Sequence, residues 1–306
     1  MKKKRLLPAV FVLLFTIISL SPVYGQSPGD AVSEDSTFLI IRTDDLGMSH
    51  AVNMALEELL ATGMPVTASV MFPCPWYQEA VEILKKYEGE NLSVGIHLTL
   101  NSEWQHYRWG PVAGRSAVSS LVDENGYFFH SSSDLYKNNP RRDEVETEIR
   151  AQIERAMASG LDIDYVDYHM GTVSRDSMMM SVTEQLAEEY GLALWGYFPS
   201  KQWYNHYRAE PADKVDSLTA SVRQMGSGYN HFVTHVGIDN AELGAMKDMN
   251  NSSPLASMSA HRQGELNALT SDAFASALQE NGITLVTLRK LINEVGLENM
   301  KAPSGN

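Results

Sequence analysis

About seven times along this chain a short apolar run gives way to a segment with helical spacing, and that rhythm leaves few architectures open. The apolar runs lie at Leu39–Thr43, Val66–Phe72, Leu92–Leu98, Asp164–His169, Leu192–Trp195, His231–His235 and Ile283–Val286. The first helix shows the pattern best. Val52, Ala55, Leu56, Leu59 and Leu60 fall at i, i+3, i+4, i+7 and i+8 between Ser49 and Gly63. Further helices are expected over Trp76–Lys86, from an Asp143 cap with Glu146 completing a capping box to Gly160, over Ser177–Tyr190, Asp213–Met225 and Ser271–Glu280, and after a Thr287 cap. The triplet Met178-Met179-Met180 reads as helix core. Strands alternating with helices predict an α/β fold with a parallel sheet of about seven strands. Its span suits a closed or barrel-like arrangement, with an open doubly wound sheet as the alternative. No glycine-rich phosphate loop follows the first strand.

The chain has 306 residues, and the alternation is read as one domain over 26–306 behind a leader. Lys2, Lys3, Lys4 and Arg5 precede an apolar run from Leu6 to Leu20, and Val23-Tyr24-Gly25 places a small residue before Gln26. This order predicts a signal peptide over 1–25, cleaved after Gly25, and an exported protein, periplasmic or extracellular. The apolar run is short for a bilayer crossing, so no stable membrane span is expected after cleavage. Removing those four positive charges takes the formal net charge from −14 to −18. So acidic a chain argues against nucleic acid or an anionic membrane as partner. Cys74 is the single cysteine, which leaves no intrachain disulfide. Between Pro73 and Pro75, with no basic neighbour, it reads as an inert thiol.

Ionisable residues gather where the expected strands end. Asp44 and Asp45 follow the first, His97 closes the third, His169 the fourth and His235 the sixth. In a parallel barrel those ends form one face. One carboxylate and two imidazoles leave open positions on a divalent cation; a second carboxylate can then take a proton from bound water, and a further histidine can protonate a leaving amine or oxygen. The inventory suits hydrolysis of an amide or ester. The same ligand set also serves iron oxygenases, so it leaves the reaction open.

At these residues the chain resembles the YdjC-like carbohydrate deacetylases of the ChbG/HpnK type, which include chitooligosaccharide deacetylases. The family's opening Ala-Asp-Asp-Phe-Gly appears as Thr43-Asp44-Asp45-Leu46-Gly47, and its Gly-x-His-Leu segment as Gly95-Ile96-His97-Leu98. Its Asp-Ser-His appears as Asp167-Tyr168-His169, and its late Cys-His-Pro as Thr234-His235-Val236, with Asp239 beyond. A terminal pattern matches Arg262, Glu265-Leu266 and Leu269-Thr270-Ser271, so the likeness runs from about Leu39 to Leu288. The resemblance implies a distorted (β/α) barrel. It implies Asp45, His97 and His169 as ligands of one divalent metal ion, zinc or magnesium, and Asp44 as general base. It implies His235 as general acid or oxyanion partner, and Arg262 as a residue orienting Asp44 or another carboxylate. Met170-Gly171-Thr172 stand where many members carry further histidines, and Val236 replaces proline. The first departure bears on the substrate pocket more than on the metal.

The implied function is removal of acetyl groups from an acetylated sugar or oligosaccharide. A carbohydrate-binding protein without turnover, and a metal-dependent hydrolase of another amide or ester, are the alternatives. The long stretch Asn101–Arg142 lacks helical period and is expected to be a lid or binding loop. Trp104, Tyr107 and Trp109 in it, with Trp203, Tyr204 and Tyr207 further on, are candidates to stack on sugar faces. Glu103 and Asp123 read as solvated loop acids. The sequence leaves open the sugar, the bond type, the metal and the oligomeric state; an oligomer is compatible with it.

Overall fold

Residues 36–203, 205–251 and 257–300 are described by a computed structural model. The signal-peptide segment and Tyr204 lie outside the described residues. Among the described residues eight strands occur in chain order: β1 (Thr37–Leu46), β2 (Val66–Val70), β3 (Leu92–Leu98), β4 (Ile163–Tyr168), β5 (Ala193–Leu194), β6 (Lys201–Gln202), β7 (Gly228–Thr234) and β8 (Ile283–Val286). The helices are α1 (His50–Ala61), α2 (Tyr77–Lys86), α3 (Ser132–Lys137), α4 (Arg142–Ala158), α5 (Ser177–Tyr190), α6 (Asn205–Arg208), α7 (Lys214–Val222), α8 (Ala241–Gly244), α9 (Met258–Leu269), α10 (Asp272–Glu280) and α11 (Leu288–Val295). No helix among the described residues is long and apolar enough to cross a membrane.

All strand pairings are parallel, in the order β5-β4-β3-β2-β1-β7-β6. β7 lies along β1 from Thr37 to Thr43. The other edge of β1 is shared: β8 pairs with Thr37–Ile40, and β2 with Arg42, Thr43 and Leu46. No ladder joins β5 to β6 among the described residues, so the sheet is a curled half-barrel and not a closed ring. The α/β, barrel-like expectation therefore holds, with β6, a two-residue strand, added to the seven read from the sequence.

The two-residue period of β1 sorts its side chains into two cores. Leu39 and Ile41 join the large layer between sheet and helices, with Leu56, Leu59, Ile149 and Leu186. Phe38 and Ile40 turn into the half-barrel, where they meet Tyr165, Trp195, Phe198, Val286 and Leu291. Arg42 continues that inner face, its guanidinium carbon 4.3 Å from the Trp195 ring centre. Trp195 follows β5 and lies edge-on to His231 of β7, with ring centres 5.1 Å apart. Side chains thus bridge the gap that backbone pairing leaves open.

Several local expectations are revised. α4 is capped by the extended Arg141 without a side-chain bond, while Asp143 and Glu144 sit in its first turn. Glu144 instead accepts a hydrogen bond from the Ser120 amide, and Glu148 accepts from the Val112 and Ala113 amides. The loop 101–142 is thereby strapped to α4, with Val118, Leu121, Phe128 and Leu135 buried, which is not the behaviour of a free lid. Beyond β7, Asn240 caps α8. Next to it, α9 departs from the helical pattern because its buried face carries Arg262 and Glu265 beside Leu266 and Leu269. Met179 is buried and its two neighbours pack on the core; Cys74 is buried too, which holds its thiol well above the usual range.

His231 links this packing to pH. Its Nδ1 lies 2.8 Å from Ser200 Oγ, and burial, with Arg42 close by, pushes its imidazole down to about 3. The folded protein refuses a proton that the unfolded chain accepts below about 6.5. Stability contributed by this residue therefore falls as pH is lowered from about 6.5, by up to about 1.4 kcal/mol per pH unit. A His231→Gln variant should show a shallower loss of urea-unfolding stability between pH 6.5 and 4. An identical pH dependence in the two proteins would show that the ring is not held neutral.

Candidate metal centre

Adjacent residues of a regular strand point to opposite faces, so Asp44 and Asp45 should not reach the same place. The end of β1 solves this with a bulge: its register with β2 shifts between Thr43 and Leu46, and Asp45 takes a left-handed φ of 67°. Both carboxylates then line one cleft of about 450 Å3. The chain turns into α1 through Gly47, where φ is 82° and a Cβ would stand 2.8 Å from Tyr77 Cα. Only glycine fits there.

Around Asp45 three donor atoms form a small triangle. Asp45 Oδ1 lies 3.4 Å from His97 Nε2 and 3.1 Å from His169 Nδ1, and the two ring nitrogens are 3.3 Å apart. Ligand atoms bonded at about 2.1 Å to one cation stand about 3.0 Å apart at right angles and about 3.4 Å apart in a tetrahedron. The triangle falls in that range, and Asp45 Oδ1 is buried without a hydrogen bond among the described residues. Asp45, His97 and His169, the three ligands read from the sequence, therefore fit a single cation.

Each histidine is held from its far side. His97 Nδ1 is 2.8 Å from Asp167 Oδ1, which leaves Nε2 for the metal. His169 Nε2 is 2.9 Å from Glu103 Oε2, which leaves Nδ1. A carboxylate on the outer nitrogen fixes the tautomer that presents a lone pair inward. Asp167 is itself anchored by Arg42 Nη1 at 3.1 Å and by the Ser69 hydroxyl at 3.1 Å. Ser69 also contacts the Tyr165 hydroxyl at 2.6 Å, and the Tyr165 ring fills the space that a side chain at Gly95 would take. A second group, Asp44, His97 and Asp167, also has metal-like spacing. It does not suit a cation, because the Arg42 guanidinium already lies between its two carboxylates.

Asp44 receives Arg42 Nε on Oδ1 at 2.7 Å and Nη2 on Oδ2 at 2.6 Å. Arg262, from α9, gives Nη2 to Asp45 Oδ2 at 2.5 Å; of the two targets open to it, the structure chooses the other carboxylate over Asp44. His235 lines the same cleft just beyond β7, with its ring 5.3 Å from Tyr207. Its amide donates to Glu265 Oε2 at 2.6 Å, and Glu265 Oε1 accepts from the buried Lys214. All six residues singled out from the sequence therefore border one cleft.

Formal charges point the same way. Asp44, Asp45, Asp167 and Glu103 set four negative charges against the guanidinium groups of Arg42 and Arg262. With neutral rings the cluster carries −2, which either two protons or one divalent cation offsets. Burial alone would push both rings down. Asp167 and Asp44 override it to raise His97 to about 9, and Glu103 and Asp45 raise His169 to about 10. Burial opposes ionisation of Asp45, yet Arg262 and His169 hold it well below the usual carboxylate range. His235 goes the other way: burial outweighs Asp45 and Asp44 and lowers it to about 4, so it is neutral near pH 7.

Three participants escape the sequence reading. Glu103 is buried against His169, not solvated, and Arg42 holds Asp44 while Asp167 holds His97. Of these, Asp167 alone carries a signal, as the first residue of Asp167-Tyr168-His169. Trp104 and Trp109 are buried; among the candidate stacking residues Tyr207 is both exposed and on the cleft, and Met170 shares both properties. Met170 has a left-handed φ of 52°, and the Thr172 hydroxyl beyond it donates to Asn101 Oδ1, so the departures from the family pattern form a tight turn.

Residues 38–280 match the family model of YdjC-like proteins. The chain is 33% identical over 156 residues to a carbohydrate deacetylase of Enterococcus faecalis, covering 51% of this chain and 57% of that one. It is 40% identical over 154 residues to a carbohydrate deacetylase of Thermus thermophilus, covering 50% and 51%. These matches span little more than half the length of the two relatives. A Geobacillus stearothermophilus carbohydrate deacetylase aligns at 28% identity over 83% of this chain and 97% of its own. A crystal structure from Enterococcus faecalis superposes with a TM-score of 0.66 at 25% identity, covering 84% of this chain and 99% of that one.

Two measurements test the triangle. Because the inner nitrogens must be proton-free to hold a cation and the surrounding carboxylates raise both rings, adding zinc to metal-free protein at pH 7 should release protons, and affinity should rise with pH towards 9. Asp45→Asn should weaken binding by more than about 100-fold, beyond the usual cost of losing an outer-shell partner. Binding without proton release, or with Asp45→Asn unaffected, would place the ion elsewhere.

Proposed function

Because the chain belongs to the YdjC-like family, we propose that it is a divalent-metal-dependent carbohydrate deacetylase. Its substrate would be an acetylated sugar or oligosaccharide. The observation that carries this reading is the convergence of the Asp45, His97 and His169 donor atoms to within 3.1–3.4 Å of one another, with Asp44 on the same cleft. A cation held there, zinc or magnesium, would supply Lewis-acid polarisation of an acetyl carbonyl and lower the pKa of a water.

The remaining chemistry belongs to the chain. Asp44 accepts the proton of the attacking water. Arg42 binds both its oxygens, which fixes the carboxylate plane while each oxygen keeps a second lone pair. Arg262 holds Asp45 Oδ2 and leaves Oδ1 in the triangle. His235 starts neutral and acts late. Negative charge building on the substrate raises its proton affinity, so it can take up the water-derived proton that Asp44 accepted and deliver it to the leaving nitrogen or oxygen, which returns Asp44 to its carboxylate. Tyr207 and Met170 offer exposed apolar surface to the sugar. The basic and apolar leader at Lys2–Leu20 supports action outside the cytoplasm, which N-terminal sequencing of the secreted protein would check by a start at Gln26.

Acetate release from a panel of N-acetylated and O-acetylated saccharides tests the reading and separates it from hydrolysis of other esters or amides. Asp44→Asn should lower kcat by about 10²–10⁴-fold and His235→Ala by about 10²-fold, with metal content retained in both. Glycan binding without acetate release in the metal-loaded wild type would instead identify a binding protein. Full activity in Asp44→Asn would remove that residue from its role.

A further inference from the structure

The two ligand histidines are held in different ways. The outer nitrogen of His97 rests on Asp167, which is a strand residue fixed by Arg42 and Ser69. The outer nitrogen of His169 rests on Glu103, which comes from the loop after β3. Glu103 is 3% exposed, so its carboxylate is as buried as the ligands themselves. The backbone around it is tied to the segment beyond α8. Glu103 O accepts from the Met249 amide at 2.9 Å, Gln105 N donates to Lys247 O at 2.9 Å, and Trp104 and Asp248 form an antiparallel bridge. Trp104 and Asp248 both line the cleft.

We propose that Glu103 is a positioning residue that locks His169 in its ligating orientation and couples metal binding to the cleft wall at Lys247–Met249. This rests on the reading of Asp45, His97 and His169 as ligands. A half-turn of the imidazole exchanges Nδ1 for Cδ2 and removes a donor from the triangle. The bond from Nε2–H to Glu103 is lost in that turn, so Glu103 penalises it. The same bond supplies negative charge that strengthens the ring as a ligand. Because the carboxylate and the paired backbone belong to one residue, ordering His169 on a cation also orders the bridge that carries Asp248 to the cleft.

The binding measurements use the full-length protein without substrate, and acetate release is followed separately on acetylated saccharides. Zinc affinity is measured by chelator competition for wild type, Glu103→Gln and Glu103→Ala. His169 ring-nitrogen shifts report the tautomer, and hydrogen exchange reports the Gln105 and Met249 amides. Glu103→Ala should bind zinc about 10–100-fold more weakly. Glu103→Gln, whose amide oxygen still accepts the ring N–H but adds no charge, should fall between. Zinc should slow exchange at Gln105 and Met249 in wild type and not in Glu103→Ala, and the alanine variant should lose the single His169 tautomer. If Glu103→Ala does not fold, Glu103→Gln decides. Wild-type affinity in that variant, equal affinity in all three proteins, or no zinc binding by wild type would each overturn the proposal. Acetate release with unshifted zinc affinities would sink this inference alone. Shifted affinities with no acetate release would sink the deacetylase reading alone.

Discussion

The guanidinium of Arg42 is the contact on which the rest of the site depends. It is buried in the mouth of the half-barrel, stacked on Trp195 and shared between Asp44 and Asp167. A charge there is tolerable only because its hydrogen bonds are met by carboxylates; removing one partner of such a buried set costs about 3–5 kcal/mol. Through Asp44 it orients the proposed base. Through Asp167 it orients His97, and hence one corner of the donor triangle. One side chain of the central strand therefore sets two functions that belong to different residues.

Around that contact the cluster behaves as a charge-balanced unit. Arg262 draws one oxygen of Asp45 aside and leaves the other facing two imidazoles. The field that keeps protons on the rings of His97 and His169 is the field that favours a divalent cation in their place. His235 lies at the edge of this field, where desolvation prevails and the ring stays neutral. Two kinds of histidine in one cleft thus follow from direct contact: the His97 and His169 rings each hydrogen-bond a carboxylate, whereas His235 meets Asp44 and Asp45 only through the field.

Much of this arrangement is legible in the order of residues alone. The acids near the end of β1 and the histidines at the end of β3 and just after β4 and β7 stand at strand ends, where short-range periodicity places them reliably on one rim. The residues that escape do so for physical reasons. Glu103 lies in a stretch without periodicity, where an acid reads as solvent-facing; its burial comes from pairing with a segment more than a hundred residues away. Arg42 sits inside an apolar strand; Asp44, two residues on, is a local partner, but nothing local says that Asp167 will meet it as well. The helix α9 gives a weak apolar signal because its inward face mixes Arg262 and Glu265, turned to Asp45 and Lys214, with Leu266 and Leu269, which join the large core. The Asp143 cap fails because the chain enters α4 extended at Arg141, ahead of the position that the capping pattern requires.

The divided edge of β1 has a consequence for how the molecule is assembled. Its first four residues find their neighbour in Ile283–Val286, while the following ones pair with a strand that begins at Val66. The strand carrying the paired acids is thus clasped by both ends of the polypeptide. As the chain emerges during synthesis, the early half of β1 keeps an unpaired edge until nearly the last helix has appeared, and contacts of such long sequence separation form slowly. The centre is accordingly the part of the fold completed last, and a chain that stops short of residue 283 would expose a bare strand edge open to pairing with its neighbours.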